Sequence, residues 1–382
     1  MEAVYLDHAA TTPVRPAVLD AMRTVLTEQF GNPSSVHRWG REARTLLETA
    51  RERVAQAVGA DRREIVFTSG GTEADNLAVL GRARAVRATG GRDVVAVSAV
   101  EHKAVLGAAE AVADEGGLVI LLSTDEQGRV DLASLEQALQ ERPAVVSVQW
   151  ANNETGVLQP IESIAGLCRA AGVPLHSDAV QAMGRVPVRV DQVPVDLVAI
   201  SGHKLGAPKG IGALYVRSGV ELVPLTHGGG QERGLRPGTE NIAAIVGLGV
   251  AVEEAMAARD REYNRLAGLR DELQAALVAD IPGLSVNSGE ADRLPNILNI
   301  SLADVEQDAL MVSLDLEGIA VSSGSACQSG AVEPSHVLVA MGRAHEGAAA
   351  LRISLGWTTT GEEIARVKAA LPGIVQRVRE FA

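Results

Sequence analysis

Between residues 64 and 217, seven short runs rich in β-branched residues recur among helical stretches, and this alternation most limits what the chain can become. The runs are 64–68, 93–98, 118–122, 144–150, 173–176, 196–200 and 212–216, with helix-like segments such as 72–89, 132–140 and 161–171 between them. The runs are apolar without in–out alternation, so both faces of each strand must be hidden. A mostly parallel sheet covered by helices on both sides does this, and the helices serve as the crossovers that parallel pairing needs. The expected fold class is α/β, with a seven-stranded sheet between helices.

Beyond residue 253 the pattern changes to a long amphipathic helix ending at Pro282-Gly283. Strand-like 296–301, a helix over 307–317, strand-like 351–355 and a last helix from Gly361 follow. The organisation predicted is a large domain at 14–255 and a smaller α+β domain made of 1–13 and 256–382. Aromatic residues are 2% of the chain against 46% hydrophobic, so the core must be built from Ala, Val, Leu and Ile. A net charge of −13 argues against direct nucleic-acid binding, which needs a cationic surface. The N-terminus lacks the basic-then-apolar pattern of a signal peptide, and the longest charge-free apolar run, 242–252, is too short to span a bilayer. With two cysteines and no Cys-x-x-Cys, the expectation is a soluble cytoplasmic protein with reduced thiols.

In sheets of this kind, ligands sit outside the carboxyl ends of the strands. The polar residues gather there: Ser69-Gly-Gly-Thr72, His102, Asn152-Asn153, Asp178 and Ser201-Gly-His-Lys204. A lysine just past a buried strand, in a Ser/Gly/His turn, is placed to be held still, as an amine that captures an aldehyde requires. Gly70-Gly71-Thr72 opens a helix after a strand, which makes an anion site, although read alone it serves equally as an ordinary N-cap. Asp178 can keep a pyridine nitrogen protonated, and Gln181 can reach the ring's phenolic oxygen. Read alone, they are a helix N-cap and a solvent-facing helix residue. His102 can stack on a flat ring and move protons, or be a hydrogen-bonded structural histidine. Together these parts describe a pyridoxal phosphate site. The eight histidines show no metal-ligand spacing, so no metal site is expected.

Cys327 lies in Ser322-Ser-Gly-Ser-Ala-Cys327-Gln-Ser-Gly330, with four serines and two glycines. That composition predicts an open loop, where a thiol can react as its thiolate. Cys168, in Ile164-Ala-Gly-Leu-Cys168, has the spacing of a buried helix face and reads as core.

Nearly the whole chain resembles the pyridoxal-phosphate-dependent cysteine desulfurases of the class-V aminotransferase group. The resemblance is carried by Tyr5-Leu-Asp-His-Ala-Ala-Thr-Thr-Pro13, Phe30-Gly-Asn-Pro-Ser-Ser35, Ser69-Gly-Gly-Thr-Glu73, Glu101-His-Lys103, Asn152-Asn-Glu-Thr-Gly156 and His176-Ser-Asp-Ala-Val-Gln181. Ser201-Gly-His-Lys204, Gly228 through Thr239 and the Cys327 loop complete it. The extended cysteine segment followed by Glu333-Pro-Ser-His336 is similar to the first subgroup, which serves iron–sulfur cluster and thio-cofactor synthesis.

The resemblance implies fold type I, a homodimer, and roles residue by residue. Lys204 resembles the Schiff-base lysine and Cys327 the persulfide-forming nucleophile. Gly71, Thr72, Ser201 and His203 resemble phosphate ligands, joined by Thr239 from the partner subunit. His102 resembles the stacking histidine, Asp178 the pyridine-nitrogen partner, Asn153 and Gln181 the groups beside the ring oxygen, and Arg352 the residue that takes the substrate carboxylate. The implied reaction converts L-cysteine to L-alanine and leaves sulfur on Cys327 for an acceptor protein such as an iron–sulfur scaffold. The chain stops at Ala382 without the longer tail that some members use to dock a scaffold, which leaves the acceptor open. The alternative is a selenocysteine lyase or another class-V enzyme. A transaminase has no use for Cys327, a silent scaffold none for Lys204 and Asp178, and no Gly-x-Gly-x-x-Gly marks a nicotinamide enzyme.

Overall fold

Residues 3–323, 334–344 and 347–381 are described by the computed structural model. The strands are β1 (Val4–Tyr5), β2 (Ile65–Thr68), β3 (Val94–Ser98), β4 (Leu118–Leu122), β5 (Val145–Ser147), β6 (Leu175–Asp178), β7 (Leu197–Ser201), β8 (Gly212–Val216), β9 (Leu284–Val286), β10 (Ile297–Ala303), β11 (Ile319–Ala320) and β12 (Ala348–Ser354). The helices are α1 (Pro16–Glu28), α2 (Arg38–Val58), α3 (Gly71–Ala88), α4 (Lys103–Asp114), α5 (Leu132–Gln140), α6 (Ile161–Ala171), α7 (Ile242–Asp280), α8 (Gln307–Leu316), α9 (His336–Ala340) and α10 (Gly361–Phe381).

The seven runs read from the sequence are the seven strands of one sheet, in spatial order β2-β8-β7-β6-β5-β3-β4. Pairing is parallel from β7 through β6, β5 and β3 to β4, and β8 is antiparallel to both its neighbours. Side chains alternate between two apolar destinations along the inner strands, whereas the edge strand β4 leaves Leu118 and Leu121 exposed, against the expectation that both faces of every strand are hidden. Ile65, Phe67, Val198 and Ile200 enter one cluster with α2, α6 and the first part of α7, while Val66, Leu197 and Ala199 enter a second with α3 and α4. Fully burying each such side chain contributes about 1.5–3 kcal/mol. Strand β5 is shorter than the run at 144–150, although Val148 and Trp150 still donate backbone hydrogen bonds to His176 and Asp178 beside it.

Helix α7 departs from the sequence reading. The apolar run at 242–252 and the amphipathic segment after it are one helix of 39 residues. Its first part is buried nearly all round in the main core, so the polar face that marks a helix boundary is missing there. Its second part presents Leu266, Leu273 and Leu277 to a separate core. That core joins β10 and β12 with α8, α10, and Val4 and Leu6 of the N-terminal arm. Here β10 is the middle of an antiparallel sheet between β12 and β9, and β1 pairs in parallel with β11. None of β1, β9 and β11 was foreseen, since two or three residues carry no period. Among the described residues, no helix is long and apolar enough to cross a membrane.

Candidate active site

The carboxyl ends of β2, β6 and β7 open on a cavity of about 620 Å³. Its walls include Gly71, Thr72, His102, Asn153, Asp178, Gln181, Ser201, His203, Lys204 and Arg352. Of the other two residues singled out in the sequence, Thr239 is exposed and does not line this cavity, and Cys327 lies outside the described residues.

Lys204 ends the short 3₁₀ turn that follows β7. Its amine donates to the carbonyls of Ala9 and Ala10, both at 2.5 Å, so the N-terminal arm aims it. Burial, then the nearby cations Arg352 and Arg185, push its pKa down to about 7, while Asp178 and Asp7 pull the other way. An amine that is half neutral at physiological pH can act as both nucleophile and proton carrier.

Asp178 closes β6 and accepts a hydrogen bond from the Val180 N–H at 2.8 Å. Burial raises its pKa, and His102, the Val180 bond and Lys204 offset part of that rise. Gln181 is buried in the turn after β6 rather than facing solvent. Its Nε2 donates to the Ala9 carbonyl at 2.8 Å, and its Oε1 is buried with no hydrogen-bond partner among the described residues. His102 caps α4, with Nδ1 accepting from the Ala104 N–H at 3.1 Å, and one side of its ring is open to the cavity. Burial lowers its pKa against the pull of Asp178.

The opposite wall belongs to the second core. Arg352 on β12 is buried, not a surface residue. It donates to Asp7 Oδ1 at 2.8 Å and to the Asn153 carbonyl at 3.0 Å, and its Nε has no hydrogen-bond partner among the described residues. Backbone bonds in both directions tie it to Ser322, where the segment leading to Cys327 departs.

Two close approaches shape the anion cradle at the start of α3. A Cβ on Gly212 would fall 2.7 Å from the Gly70 backbone, and one on Gly71 would fall 2.9 Å from Val180. The first-turn N–H groups of α3 have no acceptor within the helix. With Ser201 and His203 beside them, they form a donor set suited to a phosphate. His203 Nδ1 meets Thr11 Oγ1 at 3.1 Å, and burial pushes its pKa to about 4, so it faces an anion as a neutral ring. These residues fit pyridoxal phosphate. They supply an amine for its aldehyde, a carboxyl for its ring nitrogen, an unpartnered amide oxygen at ring level and a phosphate cradle.

Sequence reasoning missed the polar layer beneath this site. Asp75, Glu101 and His176 are fully buried; His176 Nε2 lies 3.5 Å from Asp75 Oδ1, and Glu101 Oε2 has no hydrogen-bond partner among the described residues. Burial and the neighbouring carboxylates hold Asp75 and Glu101 well above the ordinary acid range. One atom each of Asp75, His102 and Asp178 lie within 4.8 Å of one another. His336 also lines the cavity, with Nε2 against the Glu101 carbonyl at 2.8 Å. Its place in the quoted Glu333-Pro-Ser-His336 motif was the available signal. Cys168 is buried in α6, its thiol pushed up to about 12.

The model of the class-V aminotransferase family matches residues 4–367. The chain is 45% identical over 380 residues to the cysteine desulfurase IscS of Dictyoglomus turgidum, covering 99% of this chain and 96% of that one. It is 46% identical over 384 residues to the cysteine desulfurase NifS of Azotobacter vinelandii, covering 100% and 95%. Among solved structures, a NifS-like protein from Rickettsia africae superposes with a TM-score of 0.88 at 34% identity, covering 98% of this chain and all of that one.

Proposed function

Because the chain belongs to the cysteine desulfurases of the class-V aminotransferase family, which depend on pyridoxal phosphate, we propose that its 620 Å³ cavity is where L-cysteine gives up its sulfur. The observation that carries this assignment is the convergence on one cavity of Lys204, Asp178, the α3 cradle and Arg352.

Pyridoxal phosphate, when bound, supplies an aldehyde and a conjugated ring that takes up charge as the substrate's Cα–H bond breaks. Gly71, Thr72, Ser201 and His203 hold its phosphate, and Asp178 keeps a proton at its ring nitrogen. His102, Gln181 through its Oε1, and Asn153, which line the cavity, would make the remaining contacts to the ring. Arg352 grips the carboxylate of L-cysteine with N–H donors it does not spend on Asp7 and Asn153. Lys204 takes the Cα proton and returns one, a task suited to its pKa of about 7.

Cys327 completes the reaction in this reading, on the strength of its sequence context. Its thiolate attacks the substrate sulfur, so that an S–S bond forms as the Cβ–S bond breaks. The electron pair of that bond stays with carbon, which takes a proton to yield L-alanine. The persulfide sulfur then passes to an acceptor, for which the resemblance to the first subgroup favours an iron–sulfur scaffold protein. The exposed position of Thr239, away from its own chain's cavity, supports a homodimer in which it reaches the partner's phosphate site.

The test is product stoichiometry with L-cysteine and a thiol reductant. Wild type should release alanine and sulfide one to one. Cys327→Ser should still bind L-cysteine while losing about a thousandfold or more in sulfide release, since a hydroxyl cannot carry the sulfur. Wild-type turnover by Cys327→Ser would remove the nucleophile assignment.

A further inference from the structure

Glu73 is an unexpected residue in a phosphate cradle. It lies in the first turn of α3, next to Thr72, and lines the same cavity. Its Oε2 accepts the Ser69 N–H at 2.6 Å and its Oε1 meets Arg236 Nε at 3.1 Å. Burial works against its ionisation, but these two partners outweigh it and hold its pKa below the ordinary value. A fixed negative charge therefore stands where an anion must bind.

Arg236 reaches Glu73 from the 228–239 loop, and that loop is anchored at the other end of β2. Arg51 grips Glu232 through two hydrogen bonds of 2.7 Å and donates to the Ile65 carbonyl at 2.8 Å. Glu232 also accepts the Phe67 N–H at 2.8 Å, and the Arg51 guanidinium lies 4.8 Å over the Phe67 ring. Both members of the pair are buried. The anchor holds Glu232 and Arg233 at φ of 45° and 59°, left-handed conformations that non-glycine residues rarely adopt. The loop thus straps β2 from its start to just past its end, and the strap delivers a cation to Glu73 in the cradle.

We propose that Arg236, fixed by the Arg51–Glu232 anchor, is a positioning residue of the phosphate cradle whose charge cancels that of Glu73 so that a dianion can bind. This rests on the reading that pyridoxal phosphate occupies the cavity. A structural brace and a charge-cancelling device predict opposite results for Glu73. If the pair were only a brace, removing either member would weaken binding. If the charge balance matters, removing Glu73 strengthens it.

The experiment measures the affinity of cofactor-free protein for pyridoxal phosphate and for pyridoxal, which lacks the phosphate, by absorbance titration. Arg236→Gln should bind pyridoxal phosphate about tenfold more weakly, and Glu73→Gln about threefold more tightly. The double variant, with its charge balance restored, should return to within about twofold of wild type. Pyridoxal should bind all four proteins alike. Arg236→Lys keeps the charge and should stay within about threefold of wild type. With Glu73→Gln it carries the test if Arg236→Gln does not fold. An unchanged Arg236→Gln, a weakened Glu73→Gln, a double variant as weak as Arg236→Gln, or a parallel loss for pyridoxal overturns the proposal while leaving the cofactor reading intact. A wild-type protein that takes up neither ligand overturns both.

Discussion

The residues set against the proposed ring and phosphate come from the ends of β2, β6 and β7 and the first turn of α3. Those on the facing wall, Arg352, Asp7 and the carbonyls of Ala9 and Ala10, come from β12 and the N-terminal arm. The first group stands on strands buried on both faces of one sheet, and Arg352 stands on a strand of a separate apolar core, while Ala9 of the arm packs into the main one. In the proposed reading, holding the cofactor and handling L-cysteine are divided mainly between these two packed regions. Gln181 and Lys204 cross this division, since both stand on the sheet while their side-chain nitrogens donate to carbonyls of the arm, and Lys204 is the exception with a nucleophilic amine.

That exception predicts the largest effect. Lys204→Ala should lose about 10⁴-fold or more in alanine formation and all borohydride-fixable cofactor, measured by absorbance and by mass spectrometry. A substitution on the facing wall should be more selective. Arg352→Gln should raise the KM for L-cysteine roughly 50-fold, the scale of losing charge-assisted hydrogen bonds to a carboxylate, with a smaller change in kcat.

The pH dependence sharpens the exception further. Only the neutral amine attacks an aldehyde, and the Lys204 pKa lies near 7. Capture of pyridoxal phosphate by cofactor-free protein should therefore rise about fivefold from pH 6 to 7 and level off above pH 8. An amine with its ordinary value would keep gaining about tenfold per pH unit through pH 9. Arg352→Gln removes one of the cations that depress this pKa, so its curve should move to higher pH. The smallest effect is expected at Cys168, which serves neither wall. Cys168→Ser should cost about 1–3 kcal/mol in chemical unfolding, from burying a hydroxyl in α6, and leave turnover near wild type.

The same division governs what was legible in the sequence. The sheet was readable because most of its strands fall in short apolar runs that alternate with helices, and its ends carry unusual polar clusters such as Ser201-Gly-His-Lys204. The second region was harder to read. Strands β1, β9 and β11 there are too short to show a period; in the main core, the start of α7 was equally hard to read because it is buried on nearly every side, which erases the helical stripe. Within the site, residues announced by a turn, such as Asp178 and Lys204, could be assigned a role. Asp75 looked like any first-turn helix residue, and the Glu73–Arg236 pair joins positions 163 residues apart. No local pattern encodes such a contact, because it depends on how the 228–239 loop is strapped across β2.

The most direct measurement compares Asp178→Asn with Arg352→Gln, following cofactor affinity and alanine production in parallel. Asp178→Asn removes the charge under the ring, so pyridoxal phosphate should bind about tenfold or more weakly, with turnover falling even at saturating cofactor. Arg352→Gln should keep its affinity for pyridoxal phosphate within about threefold of wild type and show its loss in the KM for L-cysteine. If Arg352→Gln loses the cofactor as severely as Asp178→Asn, the two walls are not separable and the division of labour is contradicted.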